Sequence, residues 1–202
     1  MKFKELYKFL EKTKCYILSF KDLLSIFPDE KNGNLKKIVY RWKKSGWLQY
    51  LKKGLYELSY PKDFLIPDEY VANKLYSPSY ISLETVLSSH SIIPEVAMAV
   101  TSVTTKPTRN FKNKHGLFIY RTLKSSCYSG YYVKKIGVFD ILVAEPEKAL
   151  MDFLYFKSFH RKPFNLKEER LDKNVILNLD GKKLKRYSKL FNINLKEFYA
   201  NL

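Results

Sequence analysis

Residues 32–58 read NGNLKKIVYRWKKSGWLQYLKKGLYEL, and this stretch decides the architecture of the N-terminal quarter. Leu35, Ile38, Val39 and Trp42 recur at i, i+3, i+4 and i+7, so one helical face is apolar and must be buried. The opposite face carries Lys36, Lys37, Tyr40, Arg41, Lys43 and Lys44. Asn32-Gly33-Asn34 reads as a turn, with Asn34 as the N-cap of the helix. Gly46 closes the helix as a left-handed residue. Trp47 to Leu51 and Leu55 to Leu58 flank Lys52-Lys53-Gly54, the pattern of a β-hairpin with Gly in its short turn.

Working outward, Phe3, Leu6, Tyr7, Phe9 and Leu10 predict an amphipathic helix over residues 2–13. Ser19 with Asp22 three residues on resembles a capping box. It opens a short helix bearing Leu23, Leu24 and Phe27, which Pro28 ends. Helix, helix, basic helix and hairpin in this order predict a winged helix-turn-helix over residues 1–60. In that geometry the third helix enters the major groove and the hairpin lies beside it. Trp42 shares the apolar stripe and Trp47 opens the hairpin, so both are expected in the core rather than against bases.

The charge is placed to match. The 202-residue chain holds 37 Lys+Arg against 20 Asp+Glu, a formal net charge of +17. That excess favours a polyanionic partner. Codon bias inflates lysine without removing acids, yet the window between Glu30 and Glu57 contains eight bases and no acid. A second acid-free window runs from Glu95 to Asp140. The expected DNA contacts are Asn32, Asn34, Lys36, Lys37, Tyr40, Arg41, Lys44, Lys52 and Lys53. Asn34 and Lys37 lie where base edges are reachable, whereas Lys44 and the two hairpin lysines meet phosphate, which positions without specifying. One such domain covers a short site, so two copies on an inverted repeat are the expected arrangement.

Two prolines, Pro61 and Pro67, mark an extended connection, and residues 61–66 are expected to be the linker. Residues 67–202 are expected to fold as a second unit. Asp68-Glu69 start a helix that runs to about Leu75. Ser82 caps another that carries Leu83, Val86 and Leu87. Met98–Thr104, Gly116–Leu123, Gly130–Lys134 and Gly137–Val143 are rich in β-branched and aromatic residues and read as strands. Pro146 starts a helix through Phe156. The tail from Asn165 reads as three short helices, broken at Asp180-Gly181 and Asn192-Ile193-Asn194. The whole is an α+β protein: an N-terminal winged helix-turn-helix, then a mixed α/β domain with a helical C-terminal tail.

Three segments carry a resemblance. They are Lys53-Gly54-Leu55-Tyr56-Glu57-Leu58, Tyr80-Ile81-Ser82-Leu83-Glu84-Thr85-Val86-Leu87, and Ala144-Glu145-Pro146-Glu147-Lys148-Ala149-Leu150-Met151-Asp152, with Ser129-Gly130-Tyr131 between the last two. In this order, behind a winged helix, they make the chain resemble the AbiEi antitoxins of type IV toxin–antitoxin (abortive-infection) systems. The resemblance covers most of the chain and weakens after about residue 160. It implies a prokaryotic autorepressor that binds its own promoter; the cytoplasm is the compartment expected from the cysteine usage and the want of a signal-like or membrane-spanning apolar stretch. The resemblance also implies a C-terminal domain that counteracts a nucleotidyltransferase-type toxin, without requiring a stable complex with it.

Other chemistry has thin support. The P-loop and dinucleotide-binding glycine patterns do not occur. Cys15 and Cys127 have no paired spacing, and no 18-residue apolar run could span a membrane. Asp140, Glu145, Glu147 and Lys148 could form a nuclease-like site with Mg²⁺, but their spacing fits no compact motif and acids favour a helix start anyway. His90, His115 and His160 stand alone and are expected at the surface or at helix caps. No metal, cofactor or catalytic residue is expected. The competing readings are a winged-helix regulator without a toxin partner and, from another class, a DNA-processing enzyme targeted by the winged helix.

Overall fold

Leu35, Ile38, Val39 and Trp42 nucleate the first of two buried clusters, and they do so from one helix. The computed structural model describes residues 3–60, 65–158 and 169–202. Residues 61–64 of the expected 61–66 linker, His160 and the first residues of the expected helical tail, 165–168, lie outside the described residues. Helix α1 spans Phe3–Thr13, β1 Ile17–Ser19, α2 Phe20–Ile26 and α3 Asn32–Lys44; strands β2 (Leu48–Lys52) and β3 (Leu55–Leu58) follow. Leu6 and Leu10 of α1, Leu23 of α2 and the α3 stripe are all buried together. The capping box forms as expected: Asp22 N–H donates to Ser19 Oγ at 3.1 Å, and Ser19 N–H to Asp22 at 2.6 Å. Gly46 takes the left-handed conformation, φ +72°. Phe3 packs edge-on to Trp42 and, at 4.5 Å between centroids, against Trp47. Trp42 is buried, but Trp47 stays partly open at 37%.

Two expectations need correction here. Helix α3 begins at Asn32, with Lys31 in the N-cap position. Asn34 therefore lies inside the first turn and caps nothing; its side-chain amide donates back to Glu30. The hairpin also has a third strand, because β1 pairs with β3 in the order β1-β3-β2. Three residues are too few to display a period-two pattern, so β1 was invisible to periodicity.

The larger unit contains α4 (Asp68–Leu75), β4 (Ser79–Ile81), α5 (Leu83–Ser89), β5 (Val100–Thr104), β6 (Arg109–Asn113), β7 (Gly116–Thr122), β8 (Tyr131–Ile136), β9 (Phe139–Ala144) and α6 (Pro146–Ser158). It ends in α7 (Lys173–Leu177), α8 (Gly181–Phe191) and α9 (Leu195–Asn201). Six strands form one mixed sheet in the order β6-β7-β5-β4-β9-β8. The β4–β9 and β5–β7 pairs are parallel and the others antiparallel. Strand β5 starts only at Val100, and Met98 is 92% exposed rather than part of it. The breaks in the tail have local causes. Asp180 accepts from the backbone N–H groups of Lys182 and Lys183, Asn192 adopts φ +55°, and Asn194 caps α9. The architecture is α+β. Among the described residues no helix is long and apolar enough to cross a membrane.

The two units share a core. Ile17, Leu51 and Leu55 of the small sheet are buried in the same cluster as Tyr70, Val71 and Phe139 of the larger unit. Tyr16 meets the Phe139 ring edge-on at 5.8 Å.

Candidate nucleic-acid interface

Burying the α3 stripe forces its other face outward. Asn32, Lys36, Lys37, Tyr40, Arg41, Lys43 and Lys44 are all exposed. Asn34, Lys36, Lys37, Tyr40 and Arg41 line one shallow depression of about 540 Å³. Tyr40 stands 57% exposed beside these cations. Lys44 Nζ lies 5.3 Å from the Tyr40 ring and Lys43 Nζ lies 5.1 Å from the Tyr50 ring. Among the described residues Lys36, Lys37, Arg41 and Lys44 make no salt bridge. The surface is thus a run of uncompensated cations with one amphipathic ring among them.

The hairpin lysines part company. Lys53 is exposed at the turn. Lys52 is half-buried, and its ammonium donates to the carbonyl oxygen of Leu75 at the end of α4. It also lies 5.2 Å from the Phe111 ring and 6.0 Å from the Tyr76 ring. Burial, then the nearby Lys106 and Arg109, push the Lys52 ammonium below its ordinary value. The structure therefore groups Lys52 with Lys106 and Arg109 around Tyr76, apart from the α3 depression. Sequence reasoning did not single out Lys106 and Arg109, although both fall in the second acid-free window.

A further cluster holds the hairpin in place. Glu57, almost fully buried on β3, pairs with Lys114 and lies 2.6 Å from His115 Nε2. The other ring nitrogen of His115 lies 2.7 Å from Asp68 at the start of α4. The hydrogen bond to Glu57 holds His115 above its ordinary value of 6.5, with Asp68 adding and burial opposing. His115 is thus no isolated surface histidine; it bridges carboxylates of both units.

The nuclease-like quartet does not assemble. Asp140 is exposed on β9. Glu145 accepts from Lys183 at 2.9 Å and from Tyr187 at 2.6 Å, and Glu147 from the Asp180 N–H at 3.1 Å. Lys148 points inward instead. Its ammonium donates to Asp152, one turn on, and to Tyr80 Oη at 2.8 Å. Tyr80 and Ser82 donate to the other Asp152 oxygen at 3.0 and 2.8 Å. All four residues are fully buried. Burial pushes Lys148 down and Asp152 up, and each opposes the other's shift. Ser82 spends its hydroxyl on this carboxylate and makes no capping bond to α5. Among the described residues no group of three or more His, Cys, Asp or Glu could hold a metal ion.

Gly130 belongs to the same construction. It sits at φ +75°, and a Cβ there would come within 2.7 Å of the Tyr187 ring. The Ser-Gly-Tyr, Tyr-Ile-Ser and Glu-Pro-Glu-Lys segments thus meet through Gly130, Tyr80, Ser82, Glu145, Lys148 and Asp152.

No protein-family model matches the chain, and no curated protein matches it. Among solved structures, the RV2827C protein from Mycobacterium tuberculosis is similar in fold, with a TM-score of 0.59 at 11% sequence identity. The likeness covers 92% of this chain and 70% of that one.

Proposed function

We propose that residues 1–60 form a winged helix-turn-helix that binds double-stranded promoter DNA through α3, as two copies on an inverted repeat, and represses the protein's own gene. The observation that carries this is the exposed, acid-free face of α3, on which Asn34, Lys36, Lys37, Tyr40 and Arg41 share one depression. Clustered like charges on an exposed face repel one another and set up a positive potential, and pairing them with phosphates releases the nucleic acid's counterions, so phosphate is the anion such a face fits. Base readout belongs to Lys37 and Arg41, with Tyr40 available for apolar contact. Asn32, Lys36, Lys44 and Lys53 serve the phosphates. We further propose that the larger unit counteracts a nucleotidyltransferase-type toxin. That half rests on the resemblance to AbiEi antitoxins and on its motif residues.

Binding isotherms against the duplex upstream of the gene test the first half. Log K should fall with log salt by about 0.9 per neutralised phosphate. Lys53→Ala should lower that slope by about one. Lys52→Ala should not lower it, because its ammonium is already held by Leu75. Equal affinity for an unrelated duplex would remove the repressor reading. Coexpression with a toxin encoded beside the gene tests the second half, by whether growth is restored.

A further inference from the structure

The six-stranded sheet has two edges, and they differ. Strand β6 carries Arg109 and Lys112 and lies against the small unit, where Asn113 approaches the Leu51 carbonyl at 3.5 Å. Strand β8 ends the sheet on the other side with no neighbour among the described residues. It runs in unbroken register with β9 from Tyr131 to Ile136, without proline or bulge. Every residue of β8 is exposed, including Tyr132, Ile136 and, at 53%, Val133. Sheets ordinarily blunt such edges with charge, bulges or cover, because a free ladder templates another strand. Here the two charges are Lys134 and Lys135, and Lys135 sits opposite Asp140 within its own hairpin.

We infer that β8 is a self-association surface, pairing antiparallel with β8 of a second copy to continue the sheet across a twofold axis. Strand geometry limits the choices. Backbone groups alternate in direction along a strand, so a residue facing the new partner pairs only with a residue of the same parity. The axis must then pass through a residue, not between two. An axis at Lys134 would set Lys134 against itself. An axis at Val133 sets Val133 against Val133, Tyr132 against Lys134 and Tyr131 against Lys135. That register keeps like charges from directly opposing each other and sets each lysine opposite a tyrosine, Lys134 against the exposed Tyr132 and Lys135 against Tyr131, whose ring is stacked on Tyr80 at 4.9 Å in its own copy. An axis at Tyr132 would also keep the lysines apart, setting Tyr132 against itself and Tyr131 against Val133, but only the Val133 register places both lysines opposite tyrosines; the edge is thus complementary to itself, which argues for a second copy over an unrelated strand. An isologous twofold contact closes at two copies, so it yields a dimer and not a fibre.

The inference goes beyond the DNA-binding reading and is tested without DNA. Sedimentation of the full chain over a concentration series should show a monomer–dimer equilibrium. Val133→Lys places two ammonium groups on the axis and should weaken the dimer at least about tenfold. Its circular dichroism should match the parent, and its melting temperature should match the parent's at dilutions where the parent is monomeric. Val133→Cys should form an intermolecular disulfide under mild oxidation, faster than Val96→Cys, which is exposed away from the edge. A parent that stays monomeric at every concentration would overturn the inference and leave the edge to some other strand. So would an unchanged dimer constant for Val133→Lys. Should Val133→Lys fail to fold, the two cysteine variants decide the question alone, and equal cross-linking rates overturn it.

Discussion

Adjacent residues of α3 illustrate how far position on a helix decides consequence. Trp42 is buried against Phe3 and the leucines of α1, so Trp42→Ala should cost about 3–5 kcal/mol by cavity formation. Arg41 is exposed one residue earlier, and Arg41→Ala should stay within about 0.5 kcal/mol in stability. Its DNA affinity should fall by about 1–3 kcal/mol if it reads a base. Thermal melts and binding isotherms on both variants separate these outcomes; a large melting shift for Arg41→Ala would mean that the helix face was misassigned. Asp152 is a harsher case. Asp152→Asn keeps an acceptor for Tyr80 and Ser82 but leaves the Lys148 ammonium buried without a counter-charge. The expected loss is about 3–5 kcal/mol. Adding Lys148→Met removes that stranded charge, and the double variant should recover part of the loss in denaturant titrations. Failure to recover would show that the hydrogen bonds, not the charge balance, hold this centre together.

At the scale of elements, what was legible tracks the strength of local signals. The stripe of α3, the Ser19–Asp22 box, Gly46 and Pro146 at the start of α6 each state their role within a few residues. Strands β1 and β4 have three residues each, too short for alternation, and β6 reads Arg-Asn-Phe-Lys-Asn, which has the composition of a loop. Lys148 was grouped with acids next to it in sequence, whereas its partner Tyr80, and Ser82, which shares Asp152 with it, become neighbours only when β4 pairs beside β9. The i, i+4 spacing to Asp152 was the one local hint. The contact between β3, α4 and the β6–β7 turn through His115 was equally non-local, and it carries a pH dependence. A histidine whose folded value is raised stabilises fully below its unfolded value of 6.5, and that increment is lost as pH rises through the folded value. The parent should therefore lose melting temperature, relative to His115→Gln, as pH climbs from about 6 through the neutral range. Parallel melting profiles for the two proteins would show that His115 does not tie these elements together.

The whole molecule is divided by its sequence and joined by its packing. Proline-flanked residues 61–66 suggested a linker between units that fold alone, yet Ile17, Leu51 and Leu55 share a buried cluster with Tyr70 and Phe139. Glu57 and His115, and Lys52 and the Leu75 carbonyl, add polar contacts across the same seam. Separating the units would expose apolar surface on both sides, at a cost that scales with the area uncovered. The chain supplies its own reporter for this, because both tryptophans, Trp42 and Trp47, lie in the first unit. Their fluorescence follows that unit, while far-ultraviolet circular dichroism follows the whole chain. Coupling through the shared core requires the two probes to melt together, as a cooperative transition does. It also requires Asp152→Asn, confined to the larger unit, to lower the tryptophan transition along with the circular dichroism. A tryptophan transition that stays at the parent temperature in that variant would mean that the units are joined only by residues 61–66. In that case the two proposed roles, DNA binding and toxin countering, would be free to act independently. If the transitions move together, the orientation of α3 and the state of the larger unit's core are parts of one equilibrium.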